Sequence, residues 1–215
     1  MNRYSMPQSV DSESSMSEIE SNEKLFVSEQ ELIDDSFRLA MKILQAGFIP
    51  TFLVGLWRGG SSVGIYVQEC LQHLGVAVDH FSVRTSYRGA PGYLDMLENS
   101  GEIRVHGLKY LYENLNSDDR LLIVDDVFSS GSSVRAVIDR LKEKTRRNMP
   151  QDIRVAAPWY RLPDSSRKSS PPDFYMHQTK KWLVLPYELS GLTPAEICEM
   201  KPGLAGKLKQ IEKYL

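Results

Sequence analysis

The chain has little cysteine, little histidine and no long hydrophobic run. Only two cysteines, Cys70 and Cys198, occur among 215 residues; that excludes a disulfide framework and a cysteine-based metal cluster and suits a reducing, cytoplasmic setting. The four histidines, His73, His80, His106 and His177, are scattered without metal-ligand spacing. No apolar run approaches the ~20 residues that span a bilayer, so no membrane partner is expected. No hydrophobic stretch follows Met1-Asn2-Arg3, so a secretory signal is not expected either. Excess charge of one sign is also missing: the formal net charge is −2, which supplies no basic field for nucleic acid. What is present, 41% hydrophobic and 25% charged residues, suits a globular protein with a sizeable core.

Residues 1–24 are rich in Ser, Glu and Asp and read as a disordered acidic tail, leaving 25–215 as one domain. Ser28-Glu29-Gln30-Glu31 is a capping box, followed at helical spacing by Ile33, Phe37, Ala40 and Leu44. Thr51–Leu56 reads as a buried strand. The next helix opens at Gly59-Gly60-Ser61-Ser62 and aligns Val63, Tyr66, Val67, Cys70 and Leu74 on one face. Val76–Val83 reads as a strand, and the glycine-bearing stretch 84–107 as a loop or functional flap. Further strands are expected at 121–124, near Ile153–Ala157 and at Trp182–Leu185. A Pro/Ser/basic loop is expected over Arg161–Asp173. Thr193-Pro194-Ala195-Glu196 caps a further helix, and Leu204–Leu215 forms the last. Alternating strands and helices predict an α/β domain with a mainly parallel twisted sheet flanked by helices. Ligands in such folds bind beyond the carboxyl ends of the strands.

Two segments fall at such ends. In Leu121–Val134 an apolar run stops at Asp125-Asp126, then Ser129-Ser130-Gly131-Ser132-Ser133 leads into a helical pattern. A strand feeding a helix through a Ser/Gly loop gathers free N–H groups at the positive end of that helix, an anion site typical for phosphate. The adjacent carboxylates suit sugar hydroxyls or a divalent cation. A plain helix cap is the structural alternative. Trp57-Arg58-Gly59-Gly60-Ser61 repeats the design, and Arg58 adds a planar cation suited to two phosphate oxygens at once. One such end could hold a monophosphate and the other a diphosphate.

Together, Leu121–Ser133 and Leu56–Gly60 resemble the type I phosphoribosyltransferases, over roughly residues 26–190. The resemblance implies that Asp125 and Asp126 bind the ribose of phosphoribosyl diphosphate and that 129–133 bind its 5′-phosphate. It implies that Trp57, Arg58, Gly59 and Gly60 form the pyrophosphate loop, with a cis Trp57–Arg58 bond. Within the family the sequence is most similar to the 6-oxopurine group, which acts on hypoxanthine, guanine or xanthine. Thr85-Ser86-Tyr87 resembles that group's flexible loop, whose Ser86-Tyr87 pair closes over the diphosphate. Lys181-Trp182-Leu183-Val184-Leu185-Pro186-Tyr187-Glu188 resembles its base-binding segment. Trp182 is then the stacking residue, Leu183 the backbone reader of the purine edge and Glu188 an acid at the metal site. Arg161 stands for the lysine directed at the 6-oxo group. The implied architecture adds a small hood formed by the N-terminal and 158–192 segments. The implied partners are the purine base, phosphoribosyl diphosphate, Mg²⁺ held by Asp125, Asp126 and Glu188, and further copies of the chain as a homo-oligomer.

The implied reaction displaces diphosphate from C1 of the ribose by a purine nitrogen, with positive charge building on the sugar. Asp125, Asp126 and Arg58 would carry it by positioning and charge neutralisation. One residue departs from the pattern. The oxopurine group usually has an aspartate three residues after the second acid, and this chain has Ser129, which cannot serve as general base at neutral pH without an adjacent base. Three accounts are open: the substrate is already partly anionic, another group or water takes the proton, or the protein binds the nucleotide without efficient turnover. The last gives the alternative, a catalytically weak homologue that senses a nucleotide or diphosphate.

Overall fold

The computed structural model describes residues 24–87, 103–162 and 170–211. The expected tail, most of it within 1–23, lies outside the described residues, as do 88–102 of the expected flap and 163–169 of the expected basic loop. The elements run β1 (Lys24–Phe26), α1 (Glu29–Gln45), β2 (Phe52–Trp57), α2 (Gly59–His73), β3 (Asp79–Tyr87), β4 (Ile103–His106), α3 (Lys109–Asn114), β5 (Arg120–Val124), β6 (Val127–Phe128), α4 (Ser132–Thr145), β7 (Asp152–Arg161), β8 (Phe174–Thr179), β9 (Trp182–Val184), α5 (Pro194–Met200) and α6 (Pro202–Ile211).

The main sheet has the order β4-β3-β2-β5-β7-β6, and β8 also pairs with β7. All its pairings are parallel except β3 with β4. A central parallel strand is covered on both faces and therefore reads as unbroken hydrophobic sequence. β5 shows this directly. Leu121 and Ile123 enter one core with Leu111, Val134, Val137 and Leu141 of α3 and α4. Leu122 and Val124 enter the other with Leu39, Ile43, Val63, Val67 and Leu71 of α1 and α2. The expected mainly parallel sheet flanked by helices is thus found.

The capping boxes are also found. Ser28 Oγ accepts from the Glu31 N–H while Glu31 accepts from the Ser28 N–H, and Thr193 and Glu196 repeat the pair at α5. Two expectations change. The Thr85-Ser86-Tyr87 stretch is not a loop: it continues β3 and pairs with Val105, Arg104 and Ile103 of β4, whose backbone groups give it a ladder partner that periodicity did not reveal. β7 runs to Arg161, beyond the expected Ile153–Ala157, because β6 and β8 pair with its outer end. A second, two-stranded sheet joins β1 to β9, with Leu25 level with Leu183.

Candidate active site

Gly55 of β2 lies level with Val124 of β5, so the two strands end side by side. Arg58 follows one tip and Asp125-Asp126 the other. The turn from β2 into α2, which packs against the β5 tip, has no room for side chains at its two glycines. A Cβ on Gly60 would lie 2.5 Å from the Val124 carbonyl oxygen and 2.8 Å from Asp125 Cα, and one on Gly59 would collide with the Asp126 carboxylate and the Tyr187 hydroxyl. The Trp57–Arg58 peptide bond is cis, as the resemblance implied. Arg58 is the N-cap residue of α2, with Gly59 and Gly60 in its first turn, and the Trp57 side chain beside them is exposed.

The second loop turns through Gly131, whose φ of 68° is the left-handed conformation that glycine adopts without strain. A Cβ there would also meet the Phe128 ring at 2.7 Å. Ser130 Oγ and Ser132 Oγ are 2.9 Å apart, and the Ser132 N–H donates to Ser130 Oγ at 3.3 Å. Ser129 lies beside them in the loop, and Ser132 and Ser133 open α4. Arg135, one turn in, donates to Ser132 Oγ at 3.3 Å.

The helix ends differ in a telling way. α1 and α5 carry a capping box with glutamate in the first turn. α2 and α4, which start at the two strand tips, have neither a side-chain cap bond nor an acid in the first turn. An uncapped N-terminus leaves backbone N–H groups and the positive end of the helix dipole for an anion. The six-residue α3 is uncapped as well, but α2 and α4 are the uncapped helices that begin at the two strand tips.

The acidic pair is held by the backbone. Asp125 Oδ1 accepts from the Asp126 N–H at 3.0 Å, and Asp126 Oδ1 accepts from the Val127 N–H at 2.9 Å. Burial, with the neighbouring Asp126 charge, pushes the Asp125 carboxyl well above the usual carboxylate range. Glu188 is also raised, first by burial, then by the charge of Asp126, against lowering by the Leu185 N–H, Arg58 and Lys201. Its Oε2 accepts from the Leu185 N–H at 3.1 Å. Tyr187, absent from the sequence-predicted set, donates its hydroxyl to Asp126 Oδ2 and thereby joins the 181–188 segment to the acidic pair. Its position next to Glu188 was the only cue available in the sequence.

Away from the tips, the Arg161 guanidinium lies 4.9 Å from the centre of the Trp182 ring, which brings the ends of β7 and β9 together. Among the described residues the buried Nε of Arg161 has no hydrogen-bond partner. The Lys181 N–H donates to Thr179 Oγ1 at 3.1 Å. Leu183 is buried in the core, and among the described residues its strand β9 pairs with β1 alone. Ser86 Oγ is 3.1 Å from His106 Nε2 on β4. Ser86 stands two residues past Arg84, which is level with Trp57, so no described contact brings it to the acidic pair. Tyr87 ends β3, level with Ile103.

Among solved structures, the chain resembles the purine phosphoribosyltransferase of Pyrococcus horikoshii, with 21% identity, 79% of this chain and 97% of that one covered, and a TM-score of 0.58. The xanthine-guanine-hypoxanthine phosphoribosyltransferase of Helicobacter pylori matches at 16% identity over 83% and 99% of the two chains, with a TM-score of 0.58. A hypothetical protein of Neisseria gonorrhoeae with bound ppGpp matches at 15% identity over 86% and 97%, with a TM-score of 0.62. At these identities the likeness is one of fold. No curated protein matches in sequence. The family model of the phosphoribosyl transferase domain matches residues 26–189, most of the chain, and the protein therefore belongs to the phosphoribosyl transferase family.

Proposed function

We propose that this phosphoribosyltransferase moves the 5-phosphoribosyl group from phosphoribosyl diphosphate to a 6-oxopurine (hypoxanthine, guanine or xanthine), in purine salvage, giving nucleoside monophosphate and diphosphate. The observation that carries the reading is the pair of open helix N-termini on either side of the acidic pair. Residues 129–133 at α4 take the 5′-phosphate, and Arg58, Gly59 and Gly60 at α2, with Trp57, take the diphosphate. Asp125 and Asp126 between them hold the ribose hydroxyls and face the positive charge that develops on the sugar. A purine nitrogen attacks C1 as the C1–O bond breaks, and diphosphate leaves with the electron pair. Ser86 and Tyr87 close over the diphosphate by resemblance alone.

The base is assigned to Trp182 and Arg161. A flat heterocycle with a polar rim needs an aromatic face and a few placed donors. Trp182 offers the face, Arg161 a guanidinium with a buried unpartnered Nε, and β9 an edge that no described strand pairs. Leu183 would read the purine through that edge, and Lys181 flanks it. The β1–β9 sheet is the hood over this region. Two copies or more of the chain are expected to associate, in the cytoplasm.

The acidic pair also suits Mg²⁺, which takes one or two protein carboxylates and completes its shell with water and substrate oxygens. Among the described residues no three His, Cys, Asp or Glu side chains form a ready metal cluster. Asp125, Asp126 and Glu188 would therefore hold the ion together with water and substrate oxygens. When bound, the ion neutralises charge on the leaving diphosphate. Ser129 supplies no carboxylate for proton removal from the purine. That gap favours a second reading, a nucleotide- or diphosphate-binding regulator with weak turnover, which the ppGpp-bound fold neighbour also suits. The test is diphosphate release from phosphoribosyl diphosphate and Mg²⁺ with a panel of bases. Release with hypoxanthine, guanine or xanthine supports the transferase; tight binding of phosphoribosyl diphosphate without release with any base supports the regulator.

A further inference from the structure

Asp126 has one carboxylate oxygen committed to its own chain, since Oδ1 accepts from the Val127 N–H at 2.9 Å. The oxygen left for a ligand is Oδ2, and the Tyr187 hydroxyl already donates to it. The same hydroxyl fills the space above Gly59, where an added Cβ would strike both it and the Asp126 carboxylate. Tyr187 thus stands between the loop assigned to the diphosphate and the carboxylate assigned to the ribose. The turn that carries it is clamped. The Glu188 N–H donates to the Leu185 carbonyl at 2.9 Å, the Leu185 N–H donates to Glu188 Oε2 at 3.1 Å, and Lys201 Nζ donates to the Pro186 carbonyl. With the backbone held, the ring leaves the site by rotating about its own side-chain bonds. It is 37% exposed, so solvent is open to it.

We propose that Tyr187 gates the ribose site: its hydroxyl occupies the Asp126 oxygen that a sugar hydroxyl requires, and phosphoribosyl diphosphate seats only by displacing it. The gate rests on the phosphoribosyl reading of the acidic pair. It makes Tyr187 an affinity-setting residue rather than a catalytic one. Removing the hydroxyl takes away a competitor present only in the free state, so binding should tighten while the chemical step is unchanged.

The experiment compares the full chain with Tyr187→Phe by titration calorimetry with phosphoribosyl diphosphate and Mg²⁺, and by steady-state kinetics with the best base. The gate predicts a Kd lower by about fivefold to tenfold in the variant. This falls just below what a hydrogen bond to a charged group is worth, since water replaces some of it at a partly exposed ring. The kcat should stay within about twofold. An unchanged or weaker Kd, or a large fall in kcat, overturns the gate and makes the hydroxyl a support for Asp126 in the reaction. A crystal structure of the unsubstituted protein with phosphoribosyl diphosphate gives a check independent of any variant. Tyr187 Oη off Asp126 supports the gate, and Oη still on it overturns the gate. Failure of both chains to bind phosphoribosyl diphosphate overturns the phosphoribosyl reading itself, and the gate with it.

Discussion

Gly60→Ala would place a methyl group 2.5 Å from the Val124 carbonyl oxygen and 2.8 Å from Asp125 Cα. Both are backbone atoms at the tip of a central strand, so no side chain can rotate away. Relief to an ordinary carbon contact of about 3.5 Å needs a displacement on the order of 1 Å between the α2 turn and the β5 tip. Overpacking of this kind costs about 1–3 kcal/mol. At about 2–4 °C per kcal/mol for a domain of this size, Tm should fall by roughly 2–12 °C. The functional loss should be larger than the loss of stability. The displacement separates the loop assigned to the diphosphate from the acidic pair, and misplacement by ~1 Å can cost about 100-fold in rate. The assay is thermal unfolding together with diphosphate release at saturating phosphoribosyl diphosphate. Gly64→Ala is the control. Its nearest neighbour is the Leu53 Cδ2 methyl at 3.3 Å, a side chain that can shift, and alanine favours the helix by about 0.5–1 kcal/mol, so Tm and activity should stay near the parent's. A Gly60→Ala protein with Tm within 2 °C and activity within about threefold of the parent would refute the close-approach argument.

Other expectations concern the base, the proton and the hood. Ser129→Asp should raise turnover on hypoxanthine by at least about tenfold, a fraction of the ~100- to 10,000-fold that a well-placed general base supplies; unchanged turnover would make the missing carboxylate immaterial. Trp182→Ala should raise KM for the base by about fivefold to 150-fold, the range of about 1–3 kcal/mol per stacked base, with little change in KM for phosphoribosyl diphosphate. Equal effects on both would remove Trp182 from base binding. Lys24 pairs with Glu196 at 2.8 Å, and bonds from Lys24 and the Thr193 N–H hold the Glu196 carboxyl down at about 2, against an ordinary value of 4.5. A lowered folded-state value contributes stability above the unfolded-state value and loses it as the pH falls through the folded one. The difference in urea midpoint between the parent and Glu196→Gln should therefore be constant above about pH 5 and shrink between about pH 4.5 and 2. A difference that does not depend on pH would remove the ionised pair as its cause.

Much of this architecture was legible from local chemistry. The run Leu121–Val124 announced a strand buried on both faces, and the Ser28/Glu31 and Thr193/Glu196 pairs announced the starts of α1 and α5, because caps act within one turn of the chain. The glycines at 59, 60 and 131 and the acids at 125 and 126 marked the strand ends for the same reason. The elements that escaped notice depend on distant partners. β1 and β6 are too short to carry a pattern, and β8 exists by pairing with the extended β7. Arg84–Tyr87 read as loop until β4 supplied its ladder.

The sequence alone, then, determined the fold class and the two strand-end loops, since backbone preference and apolar patterning are local properties written at the residues concerned. Only the tertiary structure decided how those loops meet. Parallel pairing of β2 with β5 sets the tips side by side, the β1–β9 sheet brings 182–188 over them, and Tyr187 reaches Asp126 across the chain. Contacts between segments so far apart in sequence arise from packing the whole domain, and no local pattern encodes them.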